Sequence, residues 1–145
     1  MKGCTISSLY RFAGGITGSN NNLNNGIAAC LAKEVNVIAG SYLGGITGLN
    51  TYYAAIIGSY AHLCTQGEDE APLEGDANIA GYNSATITEC YYHSTGESGA
   101  FWTYSTGTTG SDWTGAITDM NTAIKNYSYE WTGDSADNAE IKKKN

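Results

Sequence analysis

Charge is scarce in this chain: 14% of its residues are Asp, Glu, Lys or Arg, against about a quarter in an average globular domain. Fourteen acids outnumber seven bases, for a net charge of −7. Such a surface repels a phosphate backbone, which argues against nucleic acid as a partner. The single basic run, Lys142-Lys143-Lys144, reads as a solvated polar tail. Proline occurs once, at Pro72, and histidine only at His62 and His93. Without an HExxH pair, zinc-peptidase chemistry is excluded. The four cysteines form no CxxC pair, which argues against a structural zinc site. No stretch approaches the roughly eighteen apolar residues of a membrane-spanning helix. The apolar core of a signal peptide is also missing after Met1-Lys2, so the expectation is a module drawn from a longer exported precursor with neighbouring domains. No motif calls for a cofactor.

Gly, Asn, Ser, Thr and Tyr fill the space that charge leaves. Gly and Asn accept the positive φ angles of tight turns, so the composition suits short strands joined by sharp corners. The string Gly14-Gly15-Ile16-Thr17-Gly18 returns thirty residues later as Gly44-Gly45-Ile46-Thr47-Gly48, and Asn78-Ile79-Ala80-Gly81 is a third, altered copy. An asparagine follows each isoleucine by four residues, at Asn20, Asn50 and Asn83. Phe12 and Tyr42 precede the first two cores at matching distance. Aligned at equal spacing, a later isoleucine leads a Cys or Tyr three positions on: Ile27/Cys30, Ile57/Tyr60 and Ile87/Cys90. A fixed period of this size marks stacked units, none of which buries its apolar face alone.

Positions three apart face opposite sides of a flat strand. A one-residue bend between Ile27 and Cys30, and at the matching places, turns both inward, as at the corner of a coil. The prediction is an all-β fold, a β-solenoid of about three coils, with Ile16/Ile46/Ile79 as one inward column and Ile27/Ile57/Ile87 as another. An antiparallel meander with the same strand count satisfies the same pattern. Cys30 and Cys90 share a slot with Tyr60 in this alignment, which makes it a packing position with free thiols rather than a crosslink.

The repeats occupy 1–97, in copies of about 5–34, 35–66 and 67–97, and Cys4 with Ile6 looks like the tail of an earlier one. Between the second and third copies, Gly67 to Asp76 forms an acidic spacer expected on a flank. The remainder, 98–145, reads as a C-terminal cap segment with a polar tail. Thr118 as N-cap, then Met120, Ala123, Ile124 and Tyr127 at helical spacing, predict a capping helix near 118–128.

The Gly-Ile-x-Gly core, its following Asn, and Ile87 to Tyr91 resemble the Gly-Leu-x-Gly repeat known as the GLUG motif. Asp119-Met120-Asn121-Thr122-Ala123-Ile124, with Trp131 beyond, is similar to the segment that closes such arrays. Isoleucine replaces the leucine of the name, and Asn78 stands where the first two copies have Gly15 and Gly45. The resemblance implies a non-catalytic module of an extracellular, bacterial cell-surface protein such as an adhesin. Its partner would be a glycan or a host-surface protein, or the module would serve as a spacer. A polysaccharide lyase or hydrolase on a β-helix is the alternative, and it needs a groove lined by two acids.

Candidate binding residues are aromatic, because flat rings stack on sugars at low entropic cost. Tyr52 and Tyr53 sit in the turn after Asn50; Trp102, Tyr104 and Trp113 cluster near the cap, where packing explains them equally well. Glu68, Asp69, Glu70 and Asp76 supply the oxygens a calcium ion prefers. Their spacing matches no loop signature, and a solvated acidic loop explains them too.

Overall fold

The computed structural model describes residues 2–21, 26–94, 101–103, 109–110 and 113–145. The chain is built mostly of short strands in several small sheets, with one α-helix among the described residues. The first repeat region contains β1 (Lys2–Ser7), β2 (Phe12–Gly14), β3 (Thr17–Asn20), β4 (Ile27–Ala28) and β5 (Leu31–Ile38). The second contains β6 (Tyr42–Gly44), β7 (Thr47–Asn50), β8 (Ala55–Ile57), β9 (Tyr60–His62), β10 (Thr65–Gln66) and β11 (Ala71–Pro72). A 3-10 turn (Gly75–Asn78) leads to β12 (Ala80–Asn83), β13 (Thr86–Thr88), β14 (Tyr91–His93), β15 (Phe101–Thr103) and β16 (Thr109–Gly110). Helix α1 (Trp113–Ala123), β17 (Tyr129–Thr132), a second 3-10 turn (Ala136–Asn138) and β18 (Glu140–Lys143) complete the order.

Corresponding strands pair in parallel, between residues 29 to 33 apart: β2 with β6, β3 with β7 with β12, β4 with β8 with β13, and β1 with β5 with β9 with β14. Strand β15 extends the widest sheet antiparallel to β14, β16 pairs antiparallel with β15, and β11 folds back antiparallel on β10. Two sets of left-handed residues turn the chain at matching places. Ala29, Gly58 and Glu89 have φ of 52°, 52° and 45°, and Gly3, Glu34 and Leu63 have 58°, 53° and 51°. The first set is the one-residue bend expected between Ile27 and Cys30.

The glycine pairs follow from backbone contact between repeats. A Cβ on Gly15 would collide with the Gly45 carbonyl, and one on Gly45 with the Asn78 carbonyl. Asn78 carries a side chain at the matching position in the third copy. Its amide donates to the Leu73 and Gly75 carbonyls.

One inward column is as expected. Ile46 and Ile79 are buried, Ile16 packs against the same core, and the Ile16 and Ile46 N–H groups each donate to the isoleucine carbonyl one copy on. The other is corrected by one residue: Ile27 pairs with Ile56, not Ile57, and Ile56 pairs with Ile87. Ile27 follows Asn20 by seven residues, whereas its partner Ile56 follows Asn50 by six, and the chain offers isoleucine at both 56 and 57. The same shift puts Ser59, not Tyr60, beside Cys30 and Cys90. The Cys30 N–H donates to Ser59 Oγ, the Ser59 N–H lies 3.5 Å from Cys90 Sγ, and each of the three side chains donates to the carbonyl two residues back. All four cysteines are free.

Two apolar clusters result. The inner one holds Val35, Val37, Ile46, Ile56, Ile79 and Leu73, the last drawn from the acidic spacer. The outer one joins Tyr60 and Tyr91 to Trp113, Met120, Ile124 and Trp131, with Ala29, Leu31 and Ile57 packed against it. The C-terminal segment thereby touches all three copies. Trp131 Nε1 donates to the Gly58 carbonyl at 2.6 Å, and Tyr91 donates to Asp119 at 2.7 Å.

The helix spans Trp113–Ala123 rather than 118–128. Thr118 is not its N-cap, because its hydroxyl donates to the Thr114 carbonyl from inside the helix. Trp113, Ala116, Met120 and Ile124 form the buried stripe, a longer helical series than the one visible from Thr118 onward.

Candidate functional site

Tyr52 and Tyr53 project from the turn between β7 and β8, 73% and 78% exposed. Tyr52 adopts φ of 62°, a left-handed conformation that a tight turn imposes on it. A second aromatic surface lies where β2 and β6 pair. Phe12 and Tyr42 stack at 5.7 Å with their planes 8° apart, and Tyr82, 45% exposed, continues the row 5.4 Å from Tyr42. Sequence spacing found the first two rings. It missed the third because Tyr82 comes from β12, after the Ile79 core rather than before it, and reaches the row from a neighbouring sheet.

Trp113 is a packing residue: it is 7% exposed, its ring lies 5.3 Å from Tyr60, and its Nε1 donates to the Gly133 carbonyl. Trp102 pairs through its backbone with Tyr92, and Tyr104 lies outside the described residues. Glu68, Asp69, Glu70 and Asp76 are all exposed, and no group of three or more His, Cys, Asp or Glu among the described residues is placed to hold a metal ion. The spacer instead inserts Leu73 into the core, held by its N–H to the Cys64 carbonyl and by Ser94 Oγ donating to its own carbonyl.

A polar chain that sequence spacing only hinted at lies under the C-terminal segment. His62 and His93 are register partners on β9 and β14, with ring centroids 5.2 Å apart, and Lys33 on β5 is register partner to His62. His62 is fully buried. Its Nδ1 sits 2.9 Å from the Tyr60 hydroxyl. Asp137 Oδ1 lies 2.9 Å from Nε2, close enough to pair with a protonated ring but off the line of a straight hydrogen bond. Lys33 Nζ donates to the Asp137 carbonyl. Burial pushes the His62 pKa below its ordinary value, His93 and Lys33 push the same way, and Asp137 opposes them. Burial and the Asp137 charge raise the Tyr60 hydroxyl. The chain has the residue types of an acid–base relay, but Tyr60 and His62 are closed to solvent.

Asparagines cross-link the repeats on another face. Asn20 Nδ2 donates to Asn50 Oδ1, and Asn50 Nδ2 to Asn83 Oδ1, both at 2.8 Å. With Asn50 fully buried, this amide ladder is an internal strut and leaves its amide no free face for a ligand.

No protein-family model, curated protein or solved structure matches the chain, so the likeness to the GLUG motif rests on the repeat residues themselves.

Proposed function

We propose that the chain is a non-catalytic binding module of an exported bacterial surface protein, folded as a β-solenoid of three coils. Parallel register between corresponding strands and the recurring left-handed corners support the solenoid. In this reading the C-terminal segment covers the flank of the coils rather than plugging their end, because its contacts reach all three copies. The observation that carries the binding role is the exposed pair Tyr52/Tyr53, with the Phe12–Tyr42–Tyr82 row beside it, in which Tyr82 is exposed and the other two rings are half-buried. Exposed apolar patches on a rigid scaffold are where partners dock. The exposed rings of Tyr52 and Tyr53 can stack on sugar faces at low entropic cost, which makes a glycan the favoured ligand.

The burial of Tyr60 and His62 supports the non-catalytic reading over a polysaccharide-cleaving one, since a relay without access to substrate turns nothing over. A glycan array run on the wild type, Tyr52→Ala/Tyr53→Ala and Tyr82→Ala tests the proposal. Binding by the wild type that one variant loses identifies the surface. Wild-type binding that survives in both variants removes the aromatic surfaces from the account. Release of reducing ends or unsaturated products contradicts the non-catalytic role.

A further inference from the structure

The two ends of the parallel array are finished differently. At the third copy the chain closes on itself. The Ile79 N–H donates to the Asp76 carbonyl and the Ala77 N–H to the Glu74 carbonyl. Asn78 ties to Leu73, and Leu73 fills the core. Strand β15 also covers the edge of β14 with antiparallel pairing. No such turn closes the Ile16 corner of the first copy, where among the described residues β2, β3 and β4 each have a partner on one side only, as β12 and β13 do at the other end.

Polarity sharpens the contrast. At the isoleucine corner and along the asparagine ladder each copy donates forward: Ile16 N–H to the Ile46 carbonyl, Ile46 N–H to the Ile79 carbonyl, Asn20 to Asn50, and Asn50 to Asn83, whereas the Tyr42, Thr51 and Tyr60 N–H groups donate back to the copy before. At those two places the open face offers acceptors, and neither the Ile16 carbonyl nor Asn20 Oδ1 receives a hydrogen bond from a described residue. Phe12 presents a ring with Tyr42 on only one side.

Strand β1 already occupies one quarter of the missing layer. It pairs in register with β5, Lys2 opposite Lys33 through Ser7 opposite Ile38. Its Gly3 takes the same left-handed corner as Glu34 and Leu63, and Cys4 and Ile6 pack on the inner core. By register it is the last strand of a coil whose other three strands would lie over β2, β3 and β4.

We propose that this face seats one further coil of the same kind. Its Gly-Gly-Ile-x-Gly corner would donate an isoleucine N–H to the Ile16 carbonyl, and its asparagine would donate to Asn20 Oδ1. The proposal rests on the solenoid reading. A second copy of this chain does not fit head to tail, because the 3-10 turn and β15 block its trailing end.

The experiment extends the full chain with a second copy of residues 8–32 fused directly ahead of Lys2. This spacing sets the added strands 31 residues before β2, β3 and β4, within the 29 to 33 residue offsets the existing pairs use. The extended protein is expected to remain monomeric, to melt several degrees higher, and to show a urea m-value larger by about one-sixth, because m scales with the surface folded away. The same extension carrying Gly15→Val in the added copy should lose both gains, since that side chain meets the carbonyl of the original Gly15. An added segment that is cut by protease and leaves Tm and m unchanged overturns the docking face. If Ile56→Ala remains far costlier than Ile57→Ala in that case, the solenoid stands and only the face fails. A parent chain that sediments as a dimer which the extension dissolves overturns the choice of occupant.

Discussion

Replacing Ile56 by alanine and, separately, Ile57 by alanine separates the observed register from the equal-spacing one. Ile56 is fully buried between Ile27 and Ile87, while Ile57 is partly buried beneath the C-terminal segment. Trimming isoleucine to alanine removes three carbons, worth about 2.4 kcal/mol of transfer at roughly 0.8 per methylene. The cavity left among the packed strands adds to this, which puts Ile56→Ala at about 3–5 kcal/mol. Ile57 is only partly buried and has less contact to lose, so Ile57→Ala should cost about 1–2 kcal/mol. Urea titrations followed by circular dichroism give both values from the shift in midpoint at constant m. A larger loss for Ile57→Ala would refute the pairing of Ile27 with Ile56 and restore the equal-spacing alignment.

Asn50→Ala should destabilise by about 1–3 kcal/mol, because it removes a fully buried amide and its hydrogen bonds with Asn20, Asn83 and the Thr86 carbonyl; thermal melts check it. His62 predicts an acid sensitivity with a definite sign. Its folded pKa lies below the unfolded value of 6.5, so the unfolded chain takes the proton first. Stability is then full above about pH 6.5 and falls as pH drops through that value toward the folded pKa, and His62→Gln should flatten the decline. Burial raises the Cys64 and Cys90 thiols to about 11 and about 12. Both should resist iodoacetamide at pH 8 in the native state and label fully in urea, as mass spectrometry of the peptides will show.

Much of the core was legible because the repeat imposes it. Gly15 and Gly45 face the backbone of the next repeat copy, the isoleucines after them must point inward, and the asparagines after those bond from copy to copy. Each requirement recurs at one spacing, so the spacing reveals it. The Ile56/Ile57 choice was not legible, since the turns between Asn50 and β8 and between Asn20 and β4 differ in length while both candidate residues are isoleucine. Leu73 was hidden for the opposite reason: it is the single apolar plug in an acidic segment, and nothing repeats around it. The contacts of Asp137 with His62 and Lys33 join residues far apart in the chain and belong to no period. The same holds for the early start of α1, which is set by Trp113 and Ala116 packing on the outer face of β9 and β14. For the binding surface, Tyr52 and Tyr53 were found by their place in a turn, whereas Tyr82 joined the aromatic row only through three-dimensional proximity.

The claim that corresponding strands lie parallel and in register is tested most directly by backbone NOEs in a uniformly labelled sample. The account predicts interstrand contacts linking Thr17 to Thr47 and Thr47 to Ala80, and linking Ile27 to Ile56 and Ile56 to Ile87. The Asn20 and Asn50 side-chain amides should exchange slowly with solvent. Strong Hα–Hα contacts between strands consecutive in the chain, such as β7 with β8, would instead mark an antiparallel meander and contradict it.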